Sequence, residues 1–219
     1  STTVIYCNLP AAETPGIEDT SLTEADYTNE GCLGSDAASV LMKILYLARC
    51  CRFDLLHPVC MLAREITKWN TACDKRLHRL ICYIKSTKEH CLHGWIGDSA
   101  DKLMIMLFTD ASFADCVTSS KSTTGLFAAL VGPNSFFPLN AVCKKQTVVS
   151  HSSTESEIVA LDSALRIEGL PLLSFWEAVV EVAKLCRDKR GCLSCVGEAA
   201  AAICSTFAAK KKSNKPSPR

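Results

Sequence analysis

The sequence predicts a mixed α/β protein, in which a small helical segment precedes a partial sheet with flanking helices. Three observations predict it. Residues 35–90 carry apolar positions at helical spacing. Residues 103–142 hold three strand-like runs separated by turn signals. Residues 152–165 then open on a serine- and threonine-rich helix start followed by an apolar stripe. Three strands running into a helix point to an α+β or mixed α/β unit.

The elements follow in order. Ser1–Glu30 is polar, with Pro10, Pro15 and Gly16 and no sustained period, and reads as a linker or extended arm. In the first helix Ser35 or Asp36 is the expected cap, and Val40, Leu41, Ile44, Leu45 and Leu47 recur at helical spacing. Arg49–Asp54 break it. Pro58 suits the first turn of a second helix through Met61, Leu62 and Ile66. Thr71 opens a third, with Leu77, Leu80, Ile81 and Ile84 on one side and Lys75, Arg76, Arg79, Lys85 and Lys88 on the other. Gly94–Asp101 is a turn-rich joint. Leu103–Thr109 is a continuous apolar strand, expected to be buried on both faces. Gly125–Val131 and Ser135–Val142 are the next strands, joined by the hairpin-like turn Gly132-Pro133-Asn134.

The helix after His151 offers three overlapping caps: Ser152 with Glu155, Ser153 with Ser156, and Thr154 with Glu157. Ile158, Leu161 and Leu165 form its expected apolar stripe. Gly169-Leu170-Pro171 is its expected end, and a further amphipathic helix spans Leu172–Leu185. The organisation is therefore an arm (1–30), a helical segment (31–101), a mixed α/β domain (102–185) and a basic tail (186–219) whose composition argues for disorder.

Composition sets the limits. The chain has 219 residues, 48% of them apolar, and a net charge of +1. Global charge thus neither favours nor excludes nucleic acid or a membrane as a partner. The fourteen cysteines form no obvious disulfide framework, and we read most of them as reduced and core-like. Cys192 and Cys195 make a C-x-x-C, but Cys186 and Cys204 do not complete a paired zinc knuckle. Lys210–Lys212 resembles a short nuclear-localisation patch, or is merely a lysine run in a polar tail. No apolar run reaches the ~20 residues of a membrane span. The expectation is an intracellular protein, cytoplasmic or nuclear. A first residue of Ser rather than Met suggests a fragment or a processed piece.

Two carboxylates stand out. Asp110 ends the first strand, and Glu157 lies at the start of the later helix. Taken singly, Asp110 is a turn acid and Glu157 a capping partner of Thr154. Taken together, they are the kind of pair a metal-dependent phosphodiesterase needs. Two-metal hydrolysis requires ions ~3.5–4 Å apart, held by acids from different elements. Mg²⁺ prefers hard oxygen ligands.

The motifs around them resemble a known family. ILYLA at Ile44–Ala48, FDLLHPVCMLARE at Phe53–Glu65 and ICYIKSTKEHCLHGW at Ile81–Trp95 are similar to the reverse transcriptase thumb and connection region of copia-type (Pseudoviridae) retrotransposon Pol polyproteins. FTDASFA at Phe108–Ala114, SKSTTG at Ser120–Gly125 and KKQTVVSHSSTESEIVAL at Lys144–Leu161 resemble the ribonuclease H region that follows it. The resemblance covers Cys32 to Trp176. It implies a ribonuclease H-like partial sheet and a parental activity of hydrolysing RNA in RNA–DNA hybrids with Mg²⁺ (or Mn²⁺).

It also implies site residues. Asp110 and Glu157 would be catalytic metal ligands. Lys144 and Lys145 would contact the nucleic-acid backbone, and the basic helix face with Arg76 and Arg79 would track a duplex. The implied partners are an RNA–DNA hybrid or other nucleic acid and the remainder of the Pol polyprotein, with no membrane. Where the family carries its third acid this chain reads KLCRDKRGCLS, with Asp188 as the candidate. The later histidine strand and final acid of the family are missing, so the activity is expected to be impaired. A non-catalytic nucleic-acid-binding or interaction remnant is the alternative.

Overall fold

In the computed structural model, residues 9–17, 19–115 and 119–188 are described, the last four by their backbone. The readings made for the zinc pair, the lysine run and the disordered tail lie outside the described residues. The chain divides into two compact units: Ser1–His93 with Asn140–Lys145, and Gly94–Leu139 with Gln146–Arg219. The first is helical and the second is built on a sheet.

The helical unit contains α1 (Glu24–Thr28), α2 (Gly34–Cys50), α3 (Leu56–Arg64) and α4 (Thr71–Ser86). Its core is made of large side chains: Leu41, Leu55, Val59, Leu77 and Leu80 are fully buried. The expected cap of the first helix is not used. Leu33 occupies that position without a side-chain bond. Instead the N–H groups of Cys32 and Leu33 donate to the Asp74 carboxylate of α4, at 2.7 and 3.2 Å. Asp74 also accepts from Trp69 Nε1 at 2.7 Å. A distant acid thus satisfies donors that a local side chain would ordinarily cap.

Residues 9–17 and 19–28 lie along α4. Ser86 Oγ donates to Ala12 O at 2.9 Å, and Lys75 Nζ pairs with Asp26 at 2.7 Å. Arg52 is buried and fully engaged. It forms a bidentate contact with Asp54 and donates to Thr87 O at 2.8 Å, while Tyr83 Oη donates to Asp54 at 2.9 Å.

The sheet unit runs β1 (Trp95–Ile96), β2 (Met104–Ser112), β3 (Thr123–Gly132), β4 (Ser135–Lys145), α5 (Ser153–Ala164) and α6 (Leu170–Asp188). The four strands lie in the order β1-β4-β3-β2, and the pairs β1–β4 and β2–β3 are antiparallel. The mixed α/β class read from the sequence holds, and the hairpin turn falls between β3 and β4 as expected. The joint before the sheet contains a strand that the sequence does not signal. β1 has only two residues and is held by Asp98, which accepts from Asn134 N at 2.7 Å and Ser135 Oγ at 2.6 Å. A side chain at Gly132 would crowd this carboxylate, because a Cβ there would meet Asp98 Oδ2 at 2.7 Å and Leu103 Cδ2 at 2.8 Å.

Three expectations are corrected. β2 is an edge strand, and its residues alternate between exposed and half-buried instead of being buried on both faces. A helix covers one face only: the Gly169 backbone lies against Leu107. The other face carries Met104, Met106 and Phe108, all exposed. On it an aromatic row runs Phe108–Phe127–Phe136–Trp95, with ring centroids 6.0, 6.3 and 5.8 Å apart.

The stripe of α5 is also reversed. Ile158, Leu161 and Leu165 are 63%, 48% and 46% exposed, whereas Ser156, Ala160 and Ala164 are fully buried. Small residues at i, i+4 and i+8 let the helix approach the sheet closely, and the large ones are left outside.

Finally, Gly169-Leu170-Pro171 does not end the helix. Leu165–Gly169 is a π-turn, in which Leu170 N–H bonds to Leu165 O. Pro171 then sits in the first turn of α6, where its missing N–H costs little.

Candidate active site

Glu157 is free to act because another acid forms the cap. Ser152 Oγ accepts from Glu155 N at 3.1 Å, and Glu155 Oε2 accepts from His151 N at 2.7 Å. Ser152 is thus the N-cap, and Glu155 reaches back past it to the N–H of the preceding residue. This settles the three overlapping registers in favour of Ser152 with Glu155. The carboxylate of Glu157, one helical step further on, is directed elsewhere. Its Oε1 accepts from the Ala111 N–H of β2 at 3.2 Å.

Ala111 immediately follows Asp110, so Glu157 meets the strand one residue from the other acid. Strand alternation puts the Asp110 side chain on the open face with Phe108, while Glu157 arrives from the helix-covered side. The two carboxylates bracket the end of β2. Asp110 is exposed and pairs across the strands with Gly125. Side chains of an opposed pair share a face. Gly125 contributes none, and a Cβ built there would meet only Asp110 O, at 3.8 Å. The space beside Asp110 is therefore open to a ligand.

The remaining predicted residues are dispersed. Asp188 is the last residue of α6, where its backbone is helical and not extended; its side chain lies outside the described residues. Lys144 and Lys145 end β4, one exposed and the other half-buried, and group with the helical unit. Arg76 and Arg79 face the N-terminal arm. Arg76 donates to Tyr27 Oη at 3.2 Å and stacks over its ring, and Arg79 donates to Thr14 O at 3.1 Å. Their charge remains, but part of their hydrogen-bonding capacity is spent within the chain.

A polar network behind the acids has no signature in the sequence. Gln146, 6% exposed, donates through Nε2 to Thr124 Oγ1 at 3.1 Å and to Ser156 O at 2.9 Å. Its backbone N–H donates to Ser122 O at 2.8 Å. Glutamine in a polar stretch carries no periodic signal, so only the fold reveals it. Lys121 Nζ, also unforeseen, donates to Thr147 O. Among the described residues no group of three or more His, Cys, Asp or Glu side chains is placed to hold a metal.

The described cysteines Cys32, Cys50, Cys51, Cys60, Cys73, Cys82, Cys91 and Cys143 are all free, but the core-like reading is corrected: only Cys73 and Cys82 are buried, and Cys32, Cys50, Cys51 and Cys91 are exposed. Cys60 is distinctive. The hydrogen bond with Cys143, helped by the charges of Arg64 and Arg49, lowers its pKa to about 7 against the opposing effect of burial. No described helix is long and apolar enough to cross a membrane.

Among known proteins, the chain is similar to the uncharacterized mitochondrial protein AtMg00810 of Arabidopsis thaliana. The two are 30% identical over 143 residues, which is 65% of this chain and 55% of that protein. The chain thus spans about half the length of the curated relative it matches. No protein-family model matches the chain, and no solved structure does.

Proposed function

We propose that the sheet unit is a ribonuclease H-like remnant of a copia-type retrotransposon Pol polyprotein. Its parental chemistry is the metal-dependent hydrolysis of RNA in an RNA–DNA hybrid. The observation that carries this reading is the Glu157–Ala111 hydrogen bond, which ties the helix acid to the strand one residue from Asp110. The motif resemblance and the relative in a plant mitochondrion support the same origin.

The two carboxylates reach the end of β2 from opposite faces, so an ion shared between them would sit at the open edge of that strand. Two carboxylates from different elements, with water filling the other positions, is a common Mg²⁺ environment. Bound there, the ion would polarise the phosphodiester and activate water. The protein's own contributions are simpler. Ala111 N–H fixes one oxygen of Glu157 and leaves the other for a ligand. Gly125 keeps the approach to Asp110 clear. A second ion would need a further acid, for which Asp188 is the candidate.

The test is cleavage of a labelled RNA–DNA hybrid in Mg²⁺ or Mn²⁺, compared with Glu157→Gln. Cleavage lost in the variant supports the reading. Binding of the hybrid without cleavage, unchanged by chelator and weakened steeply by salt, supports the non-catalytic remnant instead.

A further inference from the structure

We infer that Gln146 is the positioning residue of the two-acid site, acting through Ser156 and Thr124 to fix Glu157 against Ala111. This rests on the reading of Asp110 and Glu157 as a metal site.

The bonds form a closed circuit. Gln146 Nε2 holds Ser156 O, in the first turn of α5 and adjacent in sequence to Glu157. The same nitrogen holds Thr124 Oγ1 on β3. Thr124 is the cross-strand partner of Ala111. Ala111 N–H then donates to Glu157 Oε1 and closes the loop. One amide group thus ties the helix bearing one acid to the strand pair bearing the other.

Gln146 is itself held. Its backbone N–H is bonded to Ser122 O, and its Oε1 accepts from Ser150 Oγ at 3.5 Å. At 6% exposure it has little water to substitute for these partners. A buried amide that loses a partner keeps its desolvation cost, so this geometry resists drift. Primary amides suit the task because one nitrogen can donate twice. Ser156 contributes its small size: it is fully buried, and its own hydroxyl turns back to Ser153 O at 2.6 Å.

The prediction concerns a change confined to the site. In Gln146→Met, of similar length but with no donor, the Ala111 amide should exchange with deuterium about tenfold faster, the scale of one lost hydrogen bond. The other ladder amides of β2 and β3 should keep their rates. Mn²⁺-induced broadening at Ala111 and Glu157 should weaken in parallel. Where the wild type cleaves hybrid, kcat should fall while KM holds. Thr124→Val, which keeps the shape and removes one acceptor, should show a smaller change of the same kind. It also serves if the methionine variant does not fold.

Unchanged Ala111 exchange in a folded variant overturns the inference. Uniformly faster exchange across the sheet overturns it as well, because Gln146 would then be an ordinary core residue. Failure of the wild type to cleave or to bind Mn²⁺ would overturn the metal-site reading alone, and Ala111 exchange would still decide the role of Gln146.

Discussion

The helical unit and the sheet unit solve burial in opposite ways. The helical unit encloses Leu41, Leu55, Val59, Leu77 and Leu80 and satisfies its polar groups at long range, as with Asp74 and Arg52. The sheet unit buries mostly small side chains: Ala128, Ala129, Ala160, Ala164, Ser122 and Ser156. It leaves Met104, Phe108, Ile158, Leu161, Leu170 and Leu173 exposed. Apolar burial stabilises by roughly 25 cal/mol per Å², so fully buried leucines contribute far more than alanines. The lesson is that stability and chemistry are separated in this chain. The closed unit holds the large core. The open unit holds the two acids, and among the described residues its β2 edge is unpaired and its apolar surface uncovered, which is an aggregation hazard.

The largest expected effect lies in the closed unit. Leu80→Ala should destabilise it by about 3 kcal/mol, through lost burial and a residual cavity, as read by urea unfolding monitored at the helical signal. A cost below about 2 kcal/mol, the low end of the range for such a truncation, would break the contrast between the units.

A smaller effect should come from overfilling the open one. Ala160→Leu should cost about 2 kcal/mol by forcing α5 off the sheet, despite adding apolar surface. It should also weaken the Glu157–Ala111 bond, which an amide shift of Ala111 would reveal.

Acid should separate the units next. The Asp26 pKa is lowered to about 2, chiefly by the Lys75 hydrogen bond and then by the Thr23 N–H and hydroxyl. A carboxylate with a depressed folded pKa stabilises above its ordinary value of 3.8, and that contribution is lost as pH falls toward 2. Denaturant titrations between pH 5 and pH 2 should show the helical unit weakening over this window. In Asp26→Asn the pH dependence there should shrink, with Asp54 and Asp74, whose pKa values are also lowered, carrying the remainder.

The smallest effect is predicted for the outward stripe. Leu161→Ser should change stability by less than about 0.5 kcal/mol and should improve solubility. A large loss would mean that the stripe is covered in solution.

Much of this is legible in the residues. Thr71 marks the start of α4, Gly132-Pro133-Asn134 marks a hairpin, and Asp110 and Glu157 stand out by motif. What escapes does so for physical reasons. A period of 3.6 shows which residues share a face but not which face turns inward. Ile158, Leu161 and Leu165 draw the eye, while Ala160 and Ala164 do the packing. An apolar run does not reveal whether its strand is central or at an edge, so β2 reads as covered twice. Two-residue β1 is too short to show any alternation. Gln146 and Asp74 act through partners far away in sequence, which no local pattern encodes.

The central claim is that Asp110 and Glu157, from different elements, make one metal site. Its most direct test is paramagnetic broadening of backbone amides by Mn²⁺ in the wild type, Asp110→Asn and Glu157→Gln. The account predicts that Ala111 and the first turn of α5 broaden together in the wild type, and that either substitution removes both effects. Broadening that survives both substitutions, or that affects only one of the two elements, would contradict it.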